Sequence, residues 1–252
     1  LKLLCRCQTL FCEDTRVTKK LILLLKEKYN LDIDIKNYIS LHSHNEQKVL
    51  QNCDMSMFEK DVAYLSDAGM PCISDPGSYF VKFCQDRDIP YEVLSGANAA
   101  LLAYASSGFN NHRFIFYGFL PHKGKERAIG LEEIKNSNYP TIIYESPHRI
   151  EKLIGELEEL MGDREVFFIK EATKKYEKKF KCKASQIKEF TDKMNLKGEW
   201  AIVVDGKKDD SGIAISKEDL LELNLPPKQK AKLLAKLTGE SVKSWYSKLS
   251  CP

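Results

Sequence analysis

Five short stretches of this chain carry side chains able to do chemistry. Glu13-Asp14-Thr15-Arg16 sets two carboxylates beside a hydroxyl and a guanidinium, and His42-Ser43-His44-Asn45-Glu46 holds two imidazoles. Ser66-Asp67-Ala68-Gly69-Met70-Pro71-Cys72-Ile73-Ser74-Asp75-Pro76-Gly77 mixes small residues with two carboxylates. Glu145-Ser146-Pro147-His148-Arg149 and Lys170-Glu171-Ala172-Thr173-Lys174-Lys175 complete the set. Carboxylates and imidazoles can take a proton or hold a donor in place. Small residues just past a strand let backbone amides approach a ligand closely.

Missing patterns narrow the chemistry. There is no G-x-G, no H-E-x-x-H and no G-x-S-x-G, which removes the dinucleotide fingerprint, the zinc-protease pair and the hydrolase elbow. Gly118-Phe119-Leu120-Pro121-His122-Lys123-Gly124-Lys125 superficially looks like a phosphate loop. Its glycines stand one residue too far apart, and Glu126 replaces the hydroxyl that would hold magnesium. His42 and His44, two apart on a strand tip, point to opposite sides rather than to one metal. Cys5, Cys7 and Cys12 cluster without a second group at zinc spacing. No metal is expected. With no visible activated nucleophile, the economical reading is an enzyme that aligns two bound molecules while an activated cofactor carries the reactivity.

The elements that must position these residues alternate. Short strands are predicted at Thr9-Leu10-Phe11-Cys12, at 37–41, from Val62, and at Tyr91-Glu92-Val93-Leu94. Between them lie helices at 18–29, 46–58 and 78–85, and an Ala/Leu-rich helix from Asn98 to Gly108. That order argues α/β with a mainly parallel sheet. Residues 1–7 read as a helix end. Asp75 and Pro76 read as N-cap and first residue of the third helix, Asn45 and Asn98 as caps, and Ser146 with Pro147 as the start of another helix. A second set follows the 110–112 linker: strands at 114–117, 141–144, 166–169 and 198–204, and helices at 125–135, 150–160 and 184–193, with Gly162 as a stop. Three junctions share one plan of strand, capping residue and helix, and three such junctions can surround one ligand. In open α/β sheets, ligands bind at the carboxyl ends of strands.

Size and charge set outer limits. The 252 residues suggest one large or two modest domains, and the net charge of +3 permits a nucleic-acid partner without announcing one. The longest apolar run, Leu21-Ile22-Leu23-Leu24-Leu25, is five residues, far short of a membrane span. The eight cysteines are scattered, as in a reducing cytoplasm. Residues 207–212 read as a charged linker. Residues 217–249 read as a basic helical tail, with Lys228, Lys230, Lys232 and Lys236 forming either a solvated face or a phosphate-contacting one.

Several long motifs in order now carry a resemblance. They are Glu13-Asp14-Thr15-Arg16, His44-Asn45-Glu46, Ser66 to Pro71 with Ser74-Asp75-Pro76-Gly77, Gly118-Phe119-Leu120-Pro121, Tyr144-Glu145-Ser146-Pro147-His148-Arg149 and Glu171-Ala172-Thr173-Lys174. The chain resembles the ribosomal RNA small-subunit methyltransferase I family over nearly its whole length. That resemblance implies a tetrapyrrole-methylase-like α/β fold, with two α/β domains and a cofactor cleft between them, plus a small helical C-terminal tail. The domains would be 1–109, 110–207 and 208–252. It also implies S-adenosylmethionine as cofactor, 2′-O-methylation of a cytidine ribose in small-subunit (16S) ribosomal RNA, a homodimer and a cytoplasmic site. The family opens with a strand and a Pro-Ile-Gly-Asn turn with no counterpart before Thr9. With Leu1 in place of Met, the first domain is expected to lack that strand and the chain its true beginning. Ser95-Gly96-Ala97-Asn98 replaces a Pro-Gly-Pro-Ser type turn, Met70 a common Thr, and Ala172 a common Leu.

Site residues follow as expectations. Cofactor contacts are expected from Ser66, Asp67, Ala68, Gly69, Ile73, Ser74, Gly96, Ala97, Tyr117, Gly118, Glu145, Ser146, Pro147 and the backbone around Trp200 and Ala201. The hydroxyl proton would go to Glu13, Asp14, Glu145 or Glu171, with His148 next; each serves equally as a helix cap or as a partner for Arg16, Arg149 or Lys174. Arg16, Lys123, Lys125, Arg149, Lys174 and Lys175 are expected on RNA phosphate. Two other readings stay open: a methylase acting on a small tetrapyrrole, and a non-catalytic RNA-binding or assembly factor.

Overall fold

In a computed structural model, residues 1–207 and 216–250 are described; most of the 207–212 linker lies outside them. Residues 1–207 form one compact unit and 208–252 a second. The first half of unit 1 runs β1 (Thr9–Cys12), α1 (Thr15–Tyr29), β2 (Asn37–Ser40), α2 (Glu46–Gln51), a 3₁₀ turn (Met55–Glu59), β3 (Val62–Leu65), α3 (Ser78–Gln85) and α4 (Ala99–Ser107). Its three strands are all parallel, in the order β2-β1-β3, as the alternation requires. Period-two alternation splits their side chains. Leu10 and Ala63 join Leu4, Cys7, Ile22 and Ile33 on one face. Phe11 joins Leu41, Leu50, Phe80 and Phe83 on the other.

The second half runs β4 (Ile115–Phe119), α5 (Gly124–Asn136), β5 (Thr141–Glu145), α6 (Ile150–Met161), β6 (Glu165–Lys170), β7 (Lys178–Lys183), a 3₁₀ turn (Ala184–Gln186), α7 (Ile187–Thr191) and β8 (Trp200–Val204). The sheet order is β4-β5-β8-β6-β7; β4 and β5 are parallel, and the remaining pairs antiparallel. Every residue of β8 is buried, because both faces of this sheet are covered. Trp200, Ile202 and Val204 face α5 and α6 through Ile134, Leu153 and Leu157. Ala201 and Val203 face Ala100 and Ala103 of α4. The last helix of the first half thus lies on the sheet of the second, and its alanines permit close approach. On α6, Ile150, Leu153, Ile154, Leu157 and Met161 form one buried stripe.

Several elements differ from expectation for local reasons. Residues 91–94 pair with no strand among the described residues; Tyr91, Val93 and Leu94 are exposed, and apolar alternation without a neighbouring ladder makes no sheet. Gly77, not Asp75, precedes α3, with φ 121°. Arg149, not Ser146, occupies the cap position of α6, because 146–149 close a turn in which Ser146 O accepts from the amides of Arg149 and Ile150. Asn45 sits at the start of α2 but spends its side chain on His42 N and Ser40 O. The helix expected at 46–58 breaks at Asn52, and that at 184–193 shortens to a 3₁₀ turn and α7. Residues 1–7 form turns rather than a helix. Strand β7 was not anticipated at all; its lysines alternate with Phe180 and Cys182, which turn inward.

Unit 2 holds α8 (Lys217–Glu222), α9 (Pro227–Thr238) and α10 (Val242–Ser250) around Leu220, Ala231, Leu234 and Trp245. A capping box joins Ser216 and Asp219, and left-handed Gly239 ends α9. Lys228, Lys232 and Lys236 are exposed, while Lys230 donates to Leu221 O at 2.8 Å.

Candidate active site

The loop after β3 is tightly wound. Gly69, Cys72, Ser74 and Gly77 all have positive φ, and for Cys72 and Ser74 that backbone is uncommon. At Gly77 a Cβ would stand 2.8 Å from the Tyr64 ring and 3.1 Å from Cys72 Sγ, so only glycine fits. The Gly77 amide donates to the Glu46 carboxylate, which ties the loop to α2. The 95–98 turn locks against this loop. A Cβ on Gly96 would lie 2.7 Å from Gly69 O, and Gly96 N donates to Met70 Sδ at 3.2 Å. Asn98 then caps α4 by accepting from Leu101 N at 3.0 Å.

The second half meets the same place. A bulge falls between Phe116 and Gly118 of β4, and a Cβ on Gly118 would stand 3.2 Å from Ser74 Oγ. At the end of β5, Tyr144 Oη accepts from Ala100 N at 2.8 Å. The ends of β3, β4 and β5 and the start of α4 are therefore brought together, with Gly69, Ile73, Ser74, Gly96 and Ala97 exposed toward solvent. Ser66 donates to Ala68 O within the loop at 3.3 Å. Ser146 and Pro147 follow Glu145 directly and are half-buried. Tyr117 and Trp200 turn their rings into the core on the α5 and α6 side, whereas Ala201 faces α4. A separate hollow of about 540 Å³ lies elsewhere, lined by Lys19, Lys36, Asn37, Tyr38, Ile39 and Met57.

Carboxylates collect on the β1–β3 side. Glu13, at the tip of β1, accepts from Tyr64 Oη at 3.5 Å. Burial pushes its carboxyl up, and Asp75 and Asp67 add to the rise. Asp75 is raised by burial and by Asp67. Burial raises the Tyr64 phenol as well, with Glu13 next. Such mutual repulsion favours a cation among these groups. Asp14 is differently engaged: it caps α1, accepts from Arg16 Nη2 at 2.6 Å, and is held low by that arginine.

Glu145 sits in a buried ionic knot. Its Oε1 pairs with Arg149 Nε at 2.7 Å and accepts from Ser146 N at 2.8 Å. Its Oε2 has no hydrogen bond and lies 3.8 Å from Arg127. Arg127 pairs with Glu156 at 2.6 Å and donates to Pro121 O at 2.8 Å, and Glu156 raises it. Arg149 Nη1 donates to Leu120 O at 3.0 Å. His148 is exposed on the turn beside this knot.

Trp200 pairs with both Glu145 and Lys170, which places the Glu171 loop at the same sheet edge. Glu171, with φ 50°, accepts from Glu199 N at 2.8 Å and from Lys174 Nζ at 3.2 Å. The Glu199 amide is the main reason its carboxyl is lowered. Lys174 also bonds Glu199 at 2.8 Å and is raised by it. Lys175, Lys123 and Lys125 are exposed. Arg127, Glu156, Tyr64 and Tyr144 escaped sequence reasoning, since each acts across 29 or more residues and leaves no local spacing to read.

The residues fit S-adenosylmethionine: the close approaches of Gly69 to Ala97, Gly96 to Gly69 and Gly118 to Ser74, which a Cβ would block, bring exposed backbone together beside carboxylates suited to a cationic sulfonium and ammonium. Comparison with known proteins agrees. The family model for tetrapyrrole (corrin/porphyrin) methylases matches residues 1–188. The ribosomal RNA small subunit methyltransferase I of Campylobacter fetus subsp. fetus is 52% identical over 244 residues, covering 96% of this chain and 90% of that protein. The Helicobacter pylori protein of the same name (strain J99) is 39% identical over 260 residues, covering 98% and 89%. Diphthine synthase superposes with a TM-score of 0.58 at 15% identity, covering 82% of each chain. A cobalt precorrin-4 methyltransferase superposes with 0.52 at 14% identity, covering 81% and 86%. The chain belongs to the tetrapyrrole methylase family and, within it, to the ribosomal RNA small subunit methyltransferase I group.

Proposed function

We propose that this protein transfers a methyl group from S-adenosylmethionine to the 2′-hydroxyl of a cytidine ribose in small-subunit ribosomal RNA. The observation that carries the reading is the interlock of Gly69 with Gly96 beside the Glu13, Asp67 and Asp75 carboxylates. When bound, S-adenosylmethionine supplies an electrophilic methyl on a sulfonium. The chain's own part is alignment, charge and one proton. Exposed backbone at Gly69, Gly96 and Ala97, with Ser66, Ala68, Ile73, Ser74, Gly118, Ser146 and Pro147 around it, holds the donor. Asp67 and Asp75 offset its positive charge.

Glu13 is the residue we assign to accept the hydroxyl proton. Its raised carboxyl is a stronger base than an ordinary one. Asp14, Glu145 and Glu171 are committed to Arg16, Arg149 and Lys174, and serve as positioning groups. His148 is the second choice for proton transfer. Lys123, Lys125 and Lys175 meet RNA phosphate, with Arg16 on the other lobe. The assembled small subunit as substrate form, a homodimer and a cytoplasmic setting are inferred from kinship.

The test is transfer of labelled methyl to small subunits lacking the modification, with the nucleotide mapped by primer extension. Glu13→Gln is expected to lower kcat by about 10²- to 10⁴-fold while donor affinity, measured by calorimetry, stays within a few-fold. Transfer to a free tetrapyrrole instead, or an unchanged kcat, would overturn the assignment.

A further inference from the structure

Phe119 ends β4 with 51% of its surface exposed, one residue past Gly118, which approaches Ser74. A lone exposed phenylalanine means little, but this one is held from several sides. The bulge before Gly118 re-aims the strand, so that Phe119 meets Tyr144 edge-on with centroids 5.7 Å apart. Phe116 meets the same Tyr144 at 5.2 Å. Arg149 stands 5.9 Å from the Phe119 ring centre.

The backbone beyond the ring is pinned as well. Arg149 holds the carbonyl of Leu120 and Arg127 that of Pro121. The first arginine is anchored on buried Glu145 and the second on Glu156. Burying such charges is costly unless they are paired, and here the pairing fixes the two residues that follow Phe119. The loop then presents Lys123 and Lys125 to solvent. A rigid ring backed by a guanidinium and followed by two ammonium groups matches the chemistry of an unpaired nucleotide: a flat π face flanked by phosphates.

We propose that Phe119 is a stacking platform for an unpaired RNA base, with Lys123 and Lys125 on adjacent phosphates. The proposal rests on the reading of RNA as substrate. An unpaired base presents a π face, and a preformed aromatic side chain holds it without demanding a particular sequence.

The test compares Phe119→Ala, Phe119→Leu and Phe119→Trp in the full chain. Its readouts are KM and kcat on unmethylated small subunits, calorimetric affinity for S-adenosylhomocysteine, and sedimentation. Alanine and leucine are expected to raise KM about 5- to 150-fold, the range for loss of one stacked base. Tryptophan is expected to restore it, with kcat, S-adenosylhomocysteine affinity and sedimentation unchanged. Leucine performing like phenylalanine would overturn stacking in favour of simple apolar bulk. Equal loss of S-adenosylhomocysteine affinity would assign the ring to the donor, and altered sedimentation would assign it to a contact between chains. If the wild type methylates ribosomal RNA and alanine matches it, this proposal alone falls; if the wild type methylates none, the functional reading falls first.

Discussion

Replacing Glu145 by alanine tests the ionic knot directly. The Glu145 side chain is fully buried, and Arg149's is 19% exposed. The substitution removes the ion pair with Arg149 at 2.7 Å and the hydrogen bond from Ser146 N at 2.8 Å. Arg127 loses little, because its 3.8 Å approach to Glu145 carries no hydrogen bond and Glu156 still holds it. Breaking a buried pair from one side costs about 3–5 kcal/mol. Arg149 keeps the Leu120 carbonyl and some water, so the lower end, about 3 kcal/mol, is expected. For a unit of this size that corresponds to a drop of about 6–12 °C in Tm. Glu145→Gln keeps one acceptor oxygen and should cost about half as much. Urea unfolding followed by circular dichroism reads the change, and a cycle with Arg149→Ala should show coupling of about 1–3 kcal/mol. A loss below 1 kcal/mol for alanine, or additive single changes, would refute the reasoning.

Three further outcomes follow from the site. Gly96→Ala places a methyl 2.7 Å from the Gly69 carbonyl; backbone must yield, at about 1–3 kcal/mol, so S-adenosylhomocysteine affinity should fall about 5- to 100-fold, and an unchanged calorimetric titration would contradict the interlock. Asp75→Asn removes a charge that raises Glu13, so the acid limb of the kcat/KM profile should move to lower pH. A carboxyl raised by folding contributes stability below its unfolded value that is lost as pH rises through its folded value; neutralising Asp75, itself raised, should therefore stabilise the protein near neutral pH, and a loss there would count against the cluster. Lys175→Ala should flatten the salt dependence of RNA binding by about 0.7–0.9 in log–log slope, whereas Lys174→Ala, already paired with Glu171 and Glu199, should change it less; equal slopes would undo that distinction.

The parts of the fold written in short-range pattern could be read from residues alone. The strand–helix alternation through β1, β2 and β3, the Asn98 cap and the stripe on α6 each depend on neighbours within a few positions. Strand β7 shows the limit. Its alternation is short, six residues with four lysines, and it becomes a strand only by pairing antiparallel with β6, where Lys181 pairs with Glu165 at 3.3 Å and Lys179 with Glu177 at 2.9 Å. Residues 91–94 fail the other way, since a strand is a property of two segments and sequence displays one. Motif spacing led to the Gly69 and Gly96 loops and to Glu145. It could not tell a free carboxylate from a captive one, because Arg127 approaches Glu145, and Glu156 holds Arg127, only through tertiary packing.

Helix α4 belongs by chain order to the first half and by burial to the second. Severing the chain between them, near residue 110, would strip the lid from one side of a five-stranded sheet and bare Ile142, Phe167, Ile169 and Val203 to water. Neither piece would then be a natural building block. Grafting a foreign substrate lobe onto this protein would have to carry α4 along with the sheet it covers, together with the Ala100–Tyr144 bond that ties its first turn to β5.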